Sequence, residues 1–304
     1  MNTTAYAQDV TGIPRLEDRY ELGELLGEGA IGSVYQAWDS VLGIPVAVKI
    51  MHARLARNIA LLERFSQEAT LASRMLSPHV VKVLGLAVAE NEEPCIVFEH
   101  LAGETLAARL ARVGTLSFAE TSEVVVQTAR ALARAHAVGV VHRDVKPDNI
   151  FLVAQPGGRI FVKLLDFGIA EMADANGEAS DQIVGTPEYI APEILFGTGR
   201  ASARSDVYAL GVVAFECLTG RCPFPGEHID DILLDVARGQ RTQVGTVRRD
   251  IDRAARFDLD AWFDRALHAD REPRFATARE ASEALQRVAR IASVHERIEL
   301  RTAA

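Results

Sequence analysis

The sequence predicts an α+β fold with two parts: a small antiparallel β-sheet with one helix, followed by a larger, mainly α-helical part. Short apolar or alternating segments, separated by Gly-rich and Asp-Ser turns, predict strands at 20–26, 33–38, 44–50, 81–89 and 95–98. After residue 103 the composition becomes helical, and a Ser117 capping box opens a long helix that ends near residue 138. We therefore expect a hinge between the two parts near residue 101.

The one helix of the first part is predicted at 59–76, where Ser77-Pro78 ends it. Its apolar residues follow one stripe at helical spacing: Leu61, Phe65, Leu71, Ala72 and Met75. Glu68 lies on the same stripe. An inward carboxylate without a cation would cost several kcal/mol, so we expect Glu68 to pair with Lys49, which follows the apolar strand residues 46–48.

Composition limits the classes of protein that need consideration. With 304 residues, 48% of them hydrophobic, the chain can bury a core and is globular. The net charge of −9 gives no sign of a nucleic-acid-binding face, and we expect no such partner. Of the 33 basic residues 29 are arginine, and lysine occurs only at 49, 82, 146 and 163, which makes each lysine informative.

Cysteine usage and the N-terminus indicate a compartment. Cys95, Cys217 and Cys222 lack metal-ligand spacing and sit among apolar residues, so we expect buried thiols in a reducing environment. The first ten residues carry no signal-peptide pattern, and no apolar run is long enough for a membrane span. The sequence as given therefore predicts a cytoplasmic chain.

The segment GEGAIG at 27–32 predicts a glycine-rich turn between two strands. A dinucleotide-binding turn would open a helix, whereas residues 33–38 alternate like a strand. A Walker A loop is excluded because no Gly-Lys-Ser/Thr follows. The remaining interpretation is a hairpin whose backbone N–H groups can approach phosphates, and a merely flexible hairpin stays open as the alternative.

The densest cluster of charge is HRDVKPDN at 142–149, followed by DFG at 166–168. It places an acid, a lysine and an amide in one short loop, with a second carboxylate nearby in sequence. These groups can take a proton, meet a phosphate and hold a metal. A surface ion cluster is the alternative, but eight ordered residues with a downstream DFG favour a catalytic loop.

Together these motifs resemble those of eukaryotic-type serine/threonine protein kinases, in their bacterial branch, over about residues 18–290. The Asp-x-Lys-Pro-x-Asn pattern and the segment GTPEYIAPE at 185–193 are typical of the serine/threonine group. The resemblance implies a bilobal protein-kinase-like fold. It implies an N-lobe at 18–101, a C-lobe at 102–290 and a helix end or tail at 291–304, while the polar composition of residues 1–17 predicts a flexible arm.

The resemblance also implies roles for individual residues. Asp144 would accept the proton of the substrate hydroxyl, and Lys146 would neutralise charge on the γ-phosphate. Asn149 and Asp166 would hold Mg²⁺, with Mn²⁺ as an alternative cation. The residues implied to bind ATP are Gly27, Gly29, Gly32, Val34, Ala47, Lys49, Glu68, Glu99 and Leu101.

Regulatory and structural roles follow from the same resemblance. Arg143 would bind a phosphate on the activation loop, where Ser180 is the only hydroxyl between Gly168 and Gly185 and Thr186 is the second candidate site. Glu193 would pair with Arg274, and Asp206 would brace the catalytic loop.

The function expected is therefore transfer of the ATP γ-phosphoryl group to serine or threonine hydroxyls of proteins. Self-association for autophosphorylation is part of this hypothesis. Two alternatives are a pseudokinase scaffold, although Lys49, Asp144 and Asp166 are all intact, and a small-molecule phosphotransferase of the antibiotic-kinase type. The second alternative would not need the segment 185–193 to dock a peptide.

Overall fold

The computed structural model describes residues 15–166, 187–224, 226 and 228–302. The chain divides into two compact units. The first contains the described residues 15–76 and 80–102, and the second contains residues 77–79, 103–166 and the described residues from 187 onward. The domain boundaries expected from the sequence stay a prediction.

The first unit is a five-stranded antiparallel sheet with one long helix, as the sequence predicts. Its elements are α1 (Leu16–Arg19), β1 (Tyr20–Glu28), β2 (Gly32–Asp39), β3 (Ile44–Met51), α2 (Ile59–Arg74), β4 (Val83–Val88) and β5 (Pro94–Glu99). The strand order is β1-β2-β3-β5-β4. Short turns connect β1, β2 and β3 in sequence, so these three strands form a meander. The Gly-rich and Asp-Ser segments between the strands favour such turns.

One face of this sheet forms the core of the first unit. Val46 and Val48 alternate along β3 and are fully buried, and Val48 is directly opposite Val97 on β5. Leu16 packs into the same core and is 1% exposed. Within the expected arm at 1–17, burial of Leu16 anchors residues 15–17 to the sheet, and residues 1–14 lie outside the described residues.

The second unit is mainly helical and contains one small sheet. Its elements are β6 (Gly103–Thr105), α3 (Leu106–Val113), α4 (Phe118–Ala137), β7 (Ile150–Val153), β8 (Val162–Leu164), α5 (Pro192–Leu195), α6 (Ala203–Thr219), α7 (Ile229–Arg238), α8 (Val244–Val247), α9 (Arg253–Ala266) and α10 (Ala278–Thr302). The three strands pair in the order β6-β7-β8. The α+β fold class is thus confirmed.

Helices α4 and α6 carry His136 and Asp206, which support the loop of the site described below. Helix α4 begins with the predicted capping box, in which Ser117 and Glu120 exchange hydrogen bonds between side chain and backbone. Helix α6 is buried over most of its length, as its continuous apolar sequence requires. Its one buried carboxylate, Asp206, consequently needs partners inside the unit.

The three cysteines are free thiols. Cys95 and Cys217 are buried as predicted, whereas Cys222 is only half-buried. Burial raises the pKa of Cys95 and of Cys222 to about 12, so both thiols stay protonated at neutral pH. The prediction of three buried thiols is therefore wrong for Cys222, which follows the α6 C-terminus in a loop.

Candidate active site

The loop 140–149 leaves helix α4 through Gly139, whose φ of +79° allows the chain to turn at the end of the helix. Val140 and Val145 are buried and anchor the loop in the core of the second unit, to which it belongs. Between them Arg143 has a φ of +70°, which is uncommon for a residue with a side chain. A backbone of this shape persists only if its surroundings hold it.

Asp206 on helix α6 supplies that support. Its carboxylate accepts hydrogen bonds from the backbone N–H groups of His142, at 2.8 Å, and Arg143, at 2.9 Å. His136 Nε2 lies 2.7 Å from the same carboxylate, which is 1% exposed. The buried charge is thereby compensated, and the loop is fixed to helix α6 through the N–H of the strained residue and the N–H of the residue before it.

His142 connects the loop to the segment that ends at Asp166. Its ring is fully buried, and burial lowers its pKa, so the imidazole is neutral. Its Nε2 lies 2.9 Å from the carbonyl oxygen of Leu165, and its Nδ1 is 3.3 Å from the backbone nitrogen of Asp144. A carbonyl only accepts and an N–H only donates, so the hydrogen resides on Nε2.

Asp144 is held in place but open to solvent. Its carboxylate accepts from Lys146 Nζ at 2.9 and 2.8 Å and from Asn149 Nδ2 at 2.8 Å. The Asp144 side chain is 31% exposed, and that of Lys146 is 20% exposed. An oriented carboxylate that a hydroxyl can reach is the geometry that general-base chemistry requires.

Asn149 and Asp166 are brought to the same place by the backbone. The Leu165 N–H donates to the Asn149 carbonyl at 2.8 Å, which places Asp166 next to the 3₁₀ turn Pro147–Asn149. Both hydrogen bonds of the Asn149 amide nitrogen go to Asp144, so the amide oxygen remains to serve as a ligand. Asp166 has a φ of +31° and is half-buried.

An amide oxygen and a carboxylate fit Mg²⁺. This cation prefers oxygen ligands and commonly takes one or two from the protein, with phosphates and water completing the shell. Among the described residues there is no group of three or more His, Cys, Asp or Glu side chains that could form a closed metal cage. The two-ligand set fits a cation that the protein shares with a phosphate-bearing ligand.

In the first unit, the residues of β2 and β3 that were implied to bind ATP are neighbours in the sheet. Val34 is opposite Lys49, and Ala47 is opposite Phe98 of β5. Val34 and Ala47 are half-buried, whereas Lys49 is buried, with 8% of its surface exposed. Glu68 lies within α2, but its side chain is outside the described part of the structure, so the Lys49–Glu68 ion pair stays a prediction.

The glycines of the turn differ in what they tolerate. Gly27 and Gly29 are exposed, and a Cβ on Gly27 would meet nothing within 4 Å. A Cβ on Gly32 would lie 2.2 Å from the carbonyl oxygen of Ile50. Only Gly32 is therefore required by close approach of the neighbouring strand, and the other two supply flexibility.

The predicted hinge follows β5. The Glu99 backbone N–H donates to the Lys82 carbonyl at 3.0 Å, and the Glu99 carboxylate accepts from the Lys82 N–H at 2.8 Å. The Glu99 N–H is thus already used inside the first unit. Glu99 and Leu101 are both half-buried.

The predicted regulatory residues are only partly within the described structure. Arg143 is half-buried at the start of the loop. Ser180 and Thr186, together with Phe167 and Gly168, lie outside the described residues. Their roles stay predictions.

After residue 186, the Arg274 side chain donates to both carboxylate oxygens of Glu193, at 3.0 and 2.8 Å, as the family resemblance implied. The Tyr189 hydroxyl donates to Glu216 on helix α6, whose pKa burial raises. Sequence reasoning missed the Tyr189–Glu216 pair and His136. In the sequence, Glu216 and His136 each appear as a polar residue within an apolar helix pattern. Such a residue does not indicate a role unless its partner is known.

The fold and the loop define a class of protein, an enzyme domain for phosphoryl transfer. The comparisons with known proteins then identify the family. Residues 20–287 match the protein kinase domain, so the chain belongs to the protein kinase family.

Among the relatives, the serine/threonine-protein kinase Pkn1 of Myxococcus xanthus is 44% identical over 211 residues, 68% of this chain and 30% of that protein. The serine/threonine-protein kinase PknB of Mycobacterium tuberculosis is 37% identical over 279 residues, 90% of this chain and 43% of that protein. The domain is thus a eukaryotic-like serine/threonine kinase domain of bacterial type, and the pseudokinase alternative is not supported. The chain spans less than half the length of these relatives.

Solved structures agree with this assignment. A structure of Rad53 residues 1–466 in complex with AMP-PNP matches with a TM-score of 0.72 and 25% identity, covering 88% of this chain and 65% of that one. The Mycobacterium tuberculosis PknI kinase domain, as a C20A_R136N double mutant, matches with a TM-score of 0.68 and 26% identity, covering 89% of this chain and 96% of that one.

None of the described helices has the length and apolar composition needed to cross a membrane.

Proposed function

We propose that this domain transfers the γ-phosphoryl group of ATP to serine and threonine hydroxyls of protein substrates. The observation that supports the proposal best is the geometry of the Asp144 carboxylate. Hydrogen bonds from Lys146 and Asn149 orient it, yet the side chain is 31% exposed. In this position Asp144 orients the substrate hydroxyl and accepts its proton. Lys146, whose ammonium touches the same carboxylate, neutralises charge on the transferring group.

Asn149 and Asp166 are proposed to hold Mg²⁺, or Mn²⁺ in its place. The bound cation neutralises charge on the phosphates. The remaining work of this chain is positioning: His142 and Asp206 hold the loop backbone, and Asn149 also anchors Asp144.

The first unit is proposed to bind the nucleotide. Lys49, buried on β3, meets the α- and β-phosphates and pairs with Glu68. Val34 and Ala47 contact the base, and the turn containing Gly27, Gly29 and Gly32 covers the phosphates. At the hinge, Glu99 offers its carbonyl, since its N–H is engaged with Lys82, and Leu101 completes the set.

The proposal is tested by labelling with radioactive ATP and Mg²⁺, with the protein itself and a generic protein as acceptors. We expect Asp144→Asn to lower the rate by about 10²- to 10⁴-fold, because the amide cannot take the proton. Asp18→Asn, the same chemical change at an exposed position, serves as the control. Equal labelling by Asp144→Asn and the unmodified protein would sink the proposal.

Arg143 is proposed to bind a phosphate on the activation loop, at Ser180 or, second, at Thr186. Autophosphorylation between two copies of the chain is the proposed source of that phosphate. Mass spectrometry of the active protein should find a phosphate at one of the two sites. Full activity of Arg143→Ala with no phosphate at either site would contradict this part of the proposal.

The boundaries of the lobes, 18–101 and 102–290, with a tail or helix end at 291–304, are proposed on the same family resemblance. A cytoplasmic location is proposed because the three cysteines are free thiols and the reaction consumes ATP. Protein substrates are proposed as a class only.

A further inference from the structure

The tip of the glycine-rich turn closes on itself. The Gly29 N–H donates to the Gly32 carbonyl at 2.9 Å. Among the residues that the structure describes, the N–H groups of Ala30 and Ile31 have no backbone acceptor. Two adjacent N–H groups at an exposed turn are available to donate to an anion.

The turn rests on the end of strand β3. Gly32 is opposite Met51, and the close approach of Ile50 requires glycine at position 32. Lys49 lies on the same strand, directly before Ile50 and Met51. The position of the turn is therefore coupled to the strand that carries the lysine.

His52, the residue after β3, makes two hydrogen bonds to the tip. Its backbone N–H donates to the Ile31 carbonyl at 2.9 Å. Its side-chain Nε2 lies 2.9 Å from the Gly29 carbonyl, and since a carbonyl only accepts, Nε2 carries the hydrogen. The two bonds grip the tip on both sides of Ala30.

We infer that His52 is a positioning residue that holds the glycine-rich turn in the shape that offers its N–H groups to the phosphates of ATP. The inference rests on the proposed function. Three glycines in six residues leave the turn many conformations, and ordering them opposes nucleotide binding. A side chain that restricts the turn beforehand removes part of this cost.

The test compares ATP with adenosine, which lacks the phosphates. In the full chain, His52→Ala should raise the dissociation constant for ATP about three- to tenfold, the effect of losing one net hydrogen bond, while leaving adenosine binding unchanged. His52→Gln keeps a side-chain N–H donor and should recover most of the ATP affinity. Arg54→Ala, an exposed change in the same connection, should leave both constants unchanged.

Hydrogen exchange provides a second readout, since amides of residues 29–32 should exchange faster in His52→Ala. Unchanged ATP affinity in this variant, equal weakening of ATP and adenosine, or no recovery in His52→Gln would each overturn the inference. An unmodified protein that binds ATP but labels no protein would contradict the proposed function alone. Absence of ATP binding in the unmodified protein would contradict both.

Discussion

At the scale of single residues, the site depends on Asp206, a carboxylate that is 1% exposed. It compensates its own charge with two loop N–H groups and His136, and in doing so it fixes Arg143 in a left-handed conformation. The shape of the loop 140–149 is therefore held by contacts within the second unit. Preorganisation of this kind lowers the reorganisation needed during the reaction.

Asp206→Asn should weaken this support. An asparagine offers one neutral accepting oxygen instead of two charged ones, so both loop N–H groups lose a charged acceptor and one of them faces an NH₂ group. We expect the free energy of unfolding to fall by about 1–3 kcal/mol and the turnover number to fall with it. Urea denaturation and steady-state kinetics measure the two effects. Normal turnover in a folded Asp206→Asn protein would show that the loop keeps its shape without the brace.

The buried His142 predicts a pH dependence of stability. Burial holds its folded-state pKa below the ordinary 6.5, whereas in the unfolded chain the ring protonates near that value. Its contribution to stability is therefore fully present above pH 6.5 and is lost as the pH falls. Urea denaturation at about pH 7.5 and about pH 5.5 should show the loss. His142→Gln, which cannot titrate, should show a smaller difference between the two conditions.

Residues within one motif were predictable because their contacts are local. Asp144, Lys146 and Asn149 touch one another within six positions of sequence, so the motif itself contains the geometry. His136 was not predictable, because its partner Asp206 lies 70 residues away and either residue alone reads as part of a helix. His52 was missed for a different reason, since its partner is a backbone carbonyl, which has no sequence signal.

At the scale of secondary structure, the strands of the first unit were found from sequence, whereas the short elements β6 and α1 were not. Strand β6 has three residues and begins with Gly103, whose φ is +149°, so it carries no strand pattern. It forms only because β7 is beside it. Helix α1, with four residues, is likewise held by burial of Leu16 and not by its own helix propensity.

The capping box of α4 gives a prediction at this scale. Ser117→Ala removes the side-chain acceptor for the Glu120 N–H and should lower the free energy of unfolding by about 1 kcal/mol. The active-site loop follows the other end of α4, so the turnover number should stay unchanged. Thr115→Ala, at an exposed position just before the helix, is the control. A large loss of activity in Ser117→Ala would mean that the helix transmits strain to the loop.

At the scale of the molecule, the second unit is tied together by a buried ion pair across 81 residues. Arg274 has a fully buried side chain, stacks on Tyr208 at 4.9 Å and binds both oxygens of Glu193. The pairing was implied from sequence by family resemblance. The sequence did not predict that the backbone carbonyls of His268 and Ala269 also accept hydrogen bonds from the Arg274 guanidinium.

Glu193→Gln leaves the Arg274 charge buried without its counter-charge. We expect a loss of about 3–5 kcal/mol in the free energy of unfolding, measured by urea denaturation. Glu272→Gln, whose partner Arg204 is at an exposed ion pair, should cost less than about 1 kcal/mol and is the matched control. Equal stability of the two variants would mean that Arg274 is compensated by its carbonyl partners alone.

Lysine is scarce in this chain, so few side chains can react with amine-specific reagents. Reagents that acylate primary amines have four side-chain targets, of which Lys82 is exposed, Lys49 is buried, and the Lys146 ammonium is engaged by Asp144. Modification should therefore begin at Lys82. Under the proposed function, bound nucleotide should slow the labelling of Lys49 and Lys146, which peptide mapping follows, while the labelling of Lys82 serves as the reference.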